Sequence, residues 1–457
     1  MEDTIFYHAL QVDEKKCEGC SNCMKICPTE AIRMHNGVAK IQEHRCIDCG
    51  KCYEACPYSA IYIKQDDFDE IFNYDHRVAL VPAVFLGQFP EEISTSRIYA
   101  ALKDLGFNHV FEIESSVNIY AKAKNKYAME CQDKLPLISS FCPAILRLIQ
   151  VKYPSLVDNL IPLKPPVDIS AMYAQKYLMD QGVPKEEIGL FYVTPCAAKI
   201  AAVKNPVGED RSIINGVINM DMLFNRVFKK IKEQGKSYIF PQLRAPRLSA
   251  DAILSTLTNG ERRLCMAKRS FAIDGIENVM DFLEKLENDE IEGVEFLELR
   301  VCDQSCAGGI LSCDNRFLIG ERMYQRARKV AERERNGEMP RDREMEQETE
   351  YLMKNVRVGK IKPRSMMILD DDISKAIEKM EKINKLTQKL PQIDCSLCGA
   401  PTCDALAADV AAGSAKLTNC VFIQRLLERE KKLDVSDSMG IMEDIWGEKK
   451  FDDLDAE

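Results

Sequence analysis

The chain has 457 residues, of which 46% are hydrophobic and 29% are charged, so it is long enough for about two to four domains. Its 62 basic and 72 acidic residues give a net charge of −10, which argues against a protein that binds nucleic acid by neutralising phosphates. No stretch approaches the roughly 18 apolar residues of a membrane-spanning helix, and the N-terminus lacks a signal-peptide pattern. We therefore expect a cytoplasmic protein with no membrane span and no nucleic-acid partner.

The 19 cysteines are the most informative feature of the composition. In a chain of this size without a signal peptide, clustered cysteines indicate metal sites rather than a disulfide scaffold. The five histidines are too few to favour zinc sites built on histidine.

Residues 1–75 contain an internal repeat in which Cys-x2-Cys-x2-Cys-x3-Cys-Pro occurs twice, at an offset of 29 residues from Cys17 to Cys46. This spacing is typical of bacterial ferredoxins with two [4Fe-4S] clusters, in which the fourth cysteine of each run ligates the other cluster. The first predicted cluster has the ligands Cys17, Cys20, Cys23 and Cys56. The second has Cys46, Cys49, Cys52 and Cys27. We expect a βαββαβ-like ferredoxin fold that transfers electrons.

Residues 76–370 alternate between strand-like and helix-like segments, which predicts parallel sheets covered by helices. The predicted strands are 78–84, 109–113, 188–193, 213–217 and 294–301. The predicted helices include 168–181, 197–204 and 276–286. Residues 321–350 are dense in charge and predict a solvated helix or a flexible excursion.

Residues 371–432 combine a charged helix with a second cysteine module, and residues 433–457 form an acidic tail. Cys395, Cys398, Cys403 and Cys420 predict a third [4Fe-4S] cluster in a small helical domain, with zinc as the alternative. This module resembles the iron–sulfur domain of Rnf-type B subunits and corrinoid iron–sulfur proteins. We expect a mostly disordered tail with one short docking segment around Trp446.

Four further cysteines lie where strands are expected to lead into loops or helices. Cys142 and Cys196 each precede a predicted helix, where free amides and the helix dipole would lower the thiol pKa. Cys302 and Cys306 follow the last predicted strand and are followed by Gly308 and Gly309, which permit close approach of the backbone to a bulky cofactor.

The segments SSFCP, TPCAAK and CDQSCAGG resemble, in this order, the three signature loops of the [FeFe]-hydrogenase catalytic domain. The order of a ferredoxin repeat, this domain and a small iron–sulfur domain is similar to the sensory branch of that family. The resemblance implies a multidomain α/β protein with a two-lobed hydrogenase domain.

The resemblance also implies a site. Cys142, Cys196, Cys302 and Cys306 would hold the cubane half of an H-cluster, and Cys306 would bridge to a di-iron half that carries CO, cyanide and a dithiolate amine. Lys199 would donate to a cyanide ligand, and Gly308 and Gly309 would adjoin the cofactor. Specialised maturation proteins would have to supply the di-iron group.

The sequence departs from the family at the position before Cys142. Phe141 replaces the cysteine that usually passes protons to the bridging amine, and a phenyl ring has no exchangeable proton. The segment 120–128 lacks the usual acidic relay residues, and Thr194 replaces a methionine. Slow turnover is the expected consequence.

Two functions follow from these patterns. The first is a slow, sensory hydrogenase that interconverts H2 with protons and electrons and exchanges electrons with a ferredoxin-like or other redox partner. The alternative is an electron carrier or cluster scaffold that lacks the di-iron group, and either could be a subunit of a larger complex. The sequence assigns no role to Cys131, Cys265 and Cys313, although Cys131 fits a core thiol and Cys313 could adjoin the site. It does not predict an oligomeric state.

Overall fold

The computed structural model describes residues 7–234, 248–337, 347–364 and 373–452. The chain divides into two compact units. The first comprises the described residues of 1–64, 150–154 and 363–457, and the second those of 65–149 and 155–362. The four predicted segments are a finer division, and their boundaries remain predictions. No helix in the described part of the chain combines the length and the hydropathy needed to span a bilayer.

The first unit begins with the βαββαβ order expected of a ferredoxin. Its strands are β1 (Leu10–Val12), β2 (Ile32–His35), β3 (Val38–Ile41) and β4 (Ile61–Ile63), and its helices are Asn22–Lys25 and Lys51–Glu54. β1 pairs with β4 and β2 pairs with β3, both antiparallel. Each helix is a single turn directly after a cysteine loop, so the two halves of the repeat fold alike.

The C-terminal residues of the first unit are helical. The helices are Ile373–Thr387, Cys403–Ala412, Val421–Arg429, Val435–Trp446 and Lys449–Asp452. The charged helix predicted from residue 373 is therefore present. The expected disorder of the tail is wrong for residues 435–452, which contain two helices. The first is held at its end by the Asn36 and Gly37 amides, which donate to the Asp444 and Ile445 carbonyl oxygens at 2.7 and 3.0 Å.

The C-terminal module packs on the β2–β3 hairpin. Arg33 forms a partly buried ion pair with Asp409 at 2.5 Å, and the Met34 amide donates to the Gly399 carbonyl oxygen at 2.9 Å. Gly37 has a φ of +72°, and a Cβ there would lie 2.7 Å from the Trp446 carbonyl oxygen. The predicted docking segment thus reaches the hairpin at a position that only glycine allows.

The second unit contains two parallel sheets, as the alternating pattern predicts. Its strands are β5 (His76–Val81), β6 (His109–Glu112), β7 (Leu137–Ile138), β8 (Ile188–Thr194), β9 (Gly216–Asn219), β10 (Ser270–Ile273) and β11 (Phe296–Leu299). One sheet has the order β6-β5-β8-β9 and the other β10-β11-β7. All five predicted strands are found within a few residues of their expected bounds, whereas β7 and β10 were not predicted.

Helices follow most strands of the second unit. They are Ala83–Leu86, Thr95–Asp104, Val117–Glu130, Pro143–Lys152, Pro166–Asp180, Ala197–Lys204, Met220–Gln234, Ala250–Leu254, Gly260–Arg263, Ile276–Glu287, Arg316–Arg335 and Thr349–Asn355. The charged stretch predicted at 321–350 continues the helix Arg316–Arg335, and its residues 338–346 lie outside the described residues.

Three strand ends of the second unit position the mid-chain cysteines. Cys196 follows β8 by two residues, Cys142 follows β7 by four, and Cys302 follows β11 by three. The carboxyl ends of parallel strands form the usual binding edge of an α/β sheet. The fold therefore brings loops from both sheets to a common region.

Glu114 is a buried carboxyl in the loop after β6 and is only 1% exposed. Its Oε2 accepts a hydrogen bond from the Ala83 amide at 2.8 Å. Burial, together with the nearby Glu112 carboxylate, raises its pKa from 4.5 to about 8.

We predict that Glu114→Gln stabilises the protein more at pH 8 than at pH 5. The native state holds the Glu114 proton up to about pH 8, whereas the unfolded state loses it near pH 4.5, so wild-type stability falls as pH rises through this window. The slope is ~1.4 kcal/mol for each pH unit crossed. Melting temperatures of both proteins at the two pH values measure it, with Glu277→Gln at an exposed position as the control. An equal difference at both pH values would contradict the prediction.

Candidate functional site

The first predicted cluster position is a cavity in the ferredoxin part of the first unit. Its walls include Cys17, Cys20, Cys23 and Cys56, together with Met34. Burial and the neighbouring thiolates raise the pKa of Cys23 to about 12. The structure thus groups the four cysteines that the sequence assigns to one cluster, with the fourth contributed by the other half of the repeat.

The second predicted cluster position is a separate cavity. It is lined by Cys27, Cys46, Cys49 and Cys52. Burial raises the pKa of Cys49 to about 12, and the Cys27 thiolate adds to the shift. His8 and Asp48 lie near Cys46, but because Cys46 belongs to this group they do not form an independent site.

The two cysteine loops share one backbone geometry. At the offset of 29, Gly19 and Asp48 have φ values of +59° and +53°, and Ser21 and Gly50 have φ values of +61° and +84°. Left-handed backbone at matched positions curls each loop around its cavity. The Cys27 and Cys56 thiols accept hydrogen bonds from amides four residues later, at 3.2 and 3.3 Å. Such bonds favour the thiolate that binds iron.

The third cysteine group lies in the C-terminal module. Cys403 and Cys420 are buried and belong to an apolar cluster with Leu390 and Leu406, against which Cys398 packs. Burial raises the pKa of Cys398 to about 11, and the charges of Cys420 and Cys395 act in the same direction. All four predicted ligands are therefore neighbours, with Cys395 on the exposed side.

The mid-chain site is built from loops of the second unit. The helix Pro143–Lys152 begins directly after Cys142, as predicted, and Cys196 caps the helix Ala197–Lys204. The negative charges of Cys142, Cys196 and Cys306 all act on Lys199, so these three thiols lie close together. Cys302 begins the turn that ends at Cys306, since the Ser305 amide donates to the Cys302 carbonyl oxygen at 3.0 Å.

The expected lowering of thiol pKa at the helix start is wrong for Cys196. Burial raises its pKa to about 12, and the neighbouring Lys199 offsets only part of the shift. Removal of water outweighs the partial charge of one helix terminus. A thiol of this kind becomes a thiolate when a metal ion replaces its proton.

Lys199 is the residue that most clearly distinguishes this site from a structural cysteine cluster. Its Nζ donates to the Cys306 Sγ at 3.4 Å. Burial alone would lower the pKa of Lys199, but the Cys306, Tyr192 and Cys196 charges raise it well above its usual value of 10.5. The site therefore keeps a buried ammonium beside the thiol that is predicted to bridge two metal groups.

Phe141 lies between two cations. The guanidinium of Arg300 is 3.8 Å from the centre of its ring and the Lys199 Nζ is 5.1 Å from it. Contacts of this kind stabilise a buried ring by about 1–2 kcal/mol. The ring is 6% exposed, so the position is dry and carries no exchangeable proton.

A buried ionic network behind Phe141 was not predicted from the sequence. Arg300 donates to Glu261 at 2.8 Å, and Ser139 donates to the same carboxylate at 2.7 Å. Lys124 donates to the Glu261 carbonyl oxygen at 2.9 Å. The sequence offers one signal for this network. In the strand segment VEFLELRV, the charged residues Glu298 and Arg300 alternate with apolar residues.

Gly308 and Gly309 lie against backbone. A Cβ at Gly308 would be 2.0 Å from the Asp303 carbonyl oxygen, and one at Gly309 would be 2.6 Å from that of Pro195. The Leu311 amide donates to the same Pro195 oxygen at 3.0 Å. Gly309 therefore joins the loop of Cys306 to the loop of Cys196, whereas Gly308 lies against its own loop. Direct contact of either glycine with a cofactor stays a prediction.

None of the three unassigned cysteines lines the two ferredoxin cavities, and the expected proximity of Cys313 to the mid-chain site stays a prediction. Cys131 and Cys265 pack against an apolar cluster that includes Tyr127 and Phe296, which confirms the expectation for Cys131. Cys313 is exposed, and its amide donates to the Gln88 side chain at 2.8 Å.

Three family models match the chain. Residues 76–235 match the iron only hydrogenase large subunit, C-terminal domain, residues 9–57 match the 4Fe-4S dicluster domain, and residues 390–422 match an Fe-S cluster family. The middle part of the chain therefore resembles [FeFe]-hydrogenases, and it lies between two regions that match iron–sulfur families.

Curated relatives include two bacterial hydrogenases. The periplasmic [Fe] hydrogenase large subunit of Nitratidesulfovibrio vulgaris is 31% identical over 212 residues, which cover 42% of this chain and 50% of the relative. The NADP-reducing hydrogenase subunit HndD of Solidesulfovibrio fructosivorans is 24% identical over 193 residues, covering 40% of this chain and 30% of the relative. The chain thus spans half or less of the length of these relatives.

Solved structures of similar fold include a variant of [FeFe]-hydrogenase HydA1 from Chlamydomonas reinhardtii. The comparison gives a TM-score of 0.48 and 13% identity, and it covers 63% of this chain and 94% of that chain.

We predict that Cys56→Ala lowers the iron content by up to ~4 per chain, because it removes one ligand of a four-iron cluster. Iron and sulfide analysis of purified protein measures the loss. Cys131→Ala is the matched control, since Cys131 packs against an apolar cluster. Equal iron in Cys56→Ala and wild type would contradict the grouping of Cys56 with Cys17, Cys20 and Cys23.

Proposed function

We propose that this protein is a slow [FeFe]-hydrogenase-like oxidoreductase that interconverts H2 with two protons and two electrons and serves in sensing or regulation. Sixteen cysteines would hold four [4Fe-4S] clusters: two in the ferredoxin part, one in the C-terminal module and one in the mid-chain site. The predicted partners are a ferredoxin-like or other redox protein and the hydrogenase maturation proteins. The predicted cytoplasmic location is compatible with the many free thiols.

The observation that carries this proposal is the contact of the Lys199 Nζ with the Cys306 Sγ at 3.4 Å, among half-buried thiols whose charges act on the same ammonium. An all-cysteine cubane needs no ammonium in its ligand shell, and a buried cation is costly without an anionic partner. The donor set of three neighbouring thiols and Lys199 fits a cubane joined through Cys306 to a group with anionic ligands. When bound, the di-iron group would supply the metal site and the amine base at which H2 is split.

The residues of this chain would have three tasks at the site. Lys199 would donate to an anionic ligand and hold it in one orientation. Phe141 would keep water from the space that its buried ring fills next to Arg300 and Lys199. The two cations would also offset the negative charge that each thiolate-held cluster adds.

The slow rate follows from the absence of a protic group at position 141. The helix Val117–Glu130 does not supply the usual acidic relay, because residues 117–129 include no acidic side chain and the buried Lys124 is bonded to the Glu261 carbonyl oxygen. Proton transfer by a positioned group typically contributes a factor of about 10²–10⁴ to a rate.

The absence of a protic group at position 141 also favours a second candidate function. A protein that lacked the di-iron group would need no proton relay, so Phe141 is also compatible with an electron carrier or cluster scaffold. Lys199 would then have no anionic ligand other than the thiolates themselves.

We predict that protein produced with the hydrogenase maturation proteins shows infrared bands of CO and cyanide, and carries more iron than its four cubanes contain. Matured Lys199→Ala should bind less of the di-iron group and show weaker bands. Lys204→Ala, on the same helix and paired with Asp66, is the control. Wild-type protein without bands and with iron for the cubanes alone would favour the electron carrier.

We predict that Phe141→Cys raises H2 turnover of the matured protein by about tenfold or more, because it introduces a protic group beside Lys199. Phe141→Ala opens the same space without a thiol and should not raise it. Hydrogen oxidation with an artificial electron acceptor measures both variants at equal di-iron occupancy. Equal rates in Phe141→Cys and wild type would mean that proton transfer at this position does not limit turnover.

A further inference from the structure

A cavity of about 80 Å³ lies beside the mid-chain site. Its lining includes Phe141, Tyr192 and Lys199, which belong to that site, and also Lys164, Asp168 and Glu209. The cavity has room for several water molecules beside its charged side chains. The cavity therefore connects the surroundings of Lys199 with Lys164, Asp168 and Glu209. Neither the sequence analysis nor the proposed function gives these three ionisable side chains a role.

The buried carboxylate on the opposite side of Phe141 is poorly suited to carry protons. Burial opposes the charge of Glu261, but Arg300 and Lys124 outweigh it and lower the pKa. Glu261 also accepts hydrogen bonds from Ser139 and Arg300. A carboxylate held as an anion by two cations exchanges protons with difficulty at neutral pH.

Asp168 has a different environment. It lies in the first turn of the helix Pro166–Asp180, where its amide donates to the Pro165 carbonyl oxygen at 3.0 Å, and it is half-buried. Lys164, the nearest cation, is itself paired with Glu209. The structure gives no hydrogen bond to the Asp168 side chain among the residues that it describes, so its carboxyl is free to bond to cavity water.

The charges around Asp168 keep its carboxyl close to half-protonated at neutral pH. Burial raises its pKa from 3.8 to about 7, Lys164 lowers it and Glu209 raises it. The other ionisable groups that line the cavity are Arg211, Tyr192 and Lys199. A group with a pKa near the working pH accepts and releases protons with similar ease.

We propose that Asp168 is the proton-exchange group of this cavity, carrying protons between solvent and the waters beside Lys199. In the direction of H2 oxidation, a proton set free at the site would pass to a cavity water, and one Asp168 carboxylate oxygen accepts a proton from the hydronium so formed, which leaves neutral water. The O–H bond formed on Asp168 breaks again when the proton passes to bulk water. No electron moves in this exchange, and it runs once for each of the two protons. The inference rests on the proposed function, because only H2 chemistry at the site gives the cavity protons to move.

The test compares wild type with Asp168→Asn, which keeps the shape of the side chain but cannot titrate. In protein produced without maturation proteins, infrared difference spectra over a pH titration should contain a carboxyl band with a midpoint near pH 7 in wild type. The band should be missing from Asp168→Asn. A band that persists unchanged in the variant would overturn the assignment of the titrating group, independently of any activity.

The matured proteins then test the exchange itself. The rate of H2 isotope exchange with heavy water, measured between about pH 5 and about pH 9, should show an inflection near pH 7 in wild type. Asp168→Asn should lose the inflection and about tenfold or more of the rate. Asp168→Glu should restore both in part. Asp180→Asn, at an exposed position of the same helix, is the matched control and should behave as wild type.

The outcomes separate this inference from the proposed function. Wild-type protein without CO and cyanide bands would overturn the proposed function and this inference with it. Bands of equal strength in wild type and Asp168→Asn, with the same rate and the same pH profile, would overturn the role of Asp168 alone.

Discussion

The arrangement of this protein depends on thiols that are grouped and largely withdrawn from water. Two groups of four line the ferredoxin cavities, a third group lies in the C-terminal module, and three mid-chain thiols lie near Lys199. Burial raises the pKa of Cys23, Cys49 and Cys196 to about 12, so without metal these groups would remain protonated at neutral pH. A thiolate in such surroundings is stable only beside a strong positive centre, and iron supplies that charge. Metal binding and folding are therefore linked at these sites, because the loops that carry the cysteines have few other reasons to converge.

Electrostatics also distinguishes the mid-chain site from the ferredoxin sites. In the two ferredoxin cavities the thiols accept backbone hydrogen bonds, as at Cys27 and Cys56. At the mid-chain site a buried ammonium contacts Cys306, and Arg300 lies behind Phe141. Positive charge near a cluster raises its reduction potential, so the same two cations would favour electron acceptance there. The Phe141 ring contacts both cations and keeps water from the space that it fills. Because the ring has no exchangeable proton, it also removes the direct path for protons at this position.

Much of the fold and of the cysteine grouping could be predicted from the sequence, because cysteine spacing and the alternation of strands and helices are local signals. The two cysteine runs predicted the grouping of eight thiols, and long apolar runs predicted the β5, β6, β8, β9 and β11 strands. The strands β7 and β10 have two and four residues, too short to leave a period in the sequence. Arg300 contacts Phe141 and Glu261, and the charge of Glu209 acts on Asp168. These neighbours are distant in the chain, so no local pattern reveals them. At Cys196 the local argument from the helix terminus failed because it ignored burial, which only the folded structure supplies.

The central claim is that Cys142, Cys196, Cys302 and Cys306 hold one cubane in addition to the three that belong to the ferredoxin and C-terminal parts. The most direct test is the iron content and Mössbauer spectrum of protein produced without maturation proteins, compared with the variant that carries Cys142→Ala and Cys196→Ala together. We expect ~16 iron per chain in wild type and ~12 in the variant, with the spectra of the other three cubanes unchanged. Equal iron in the two proteins would contradict it.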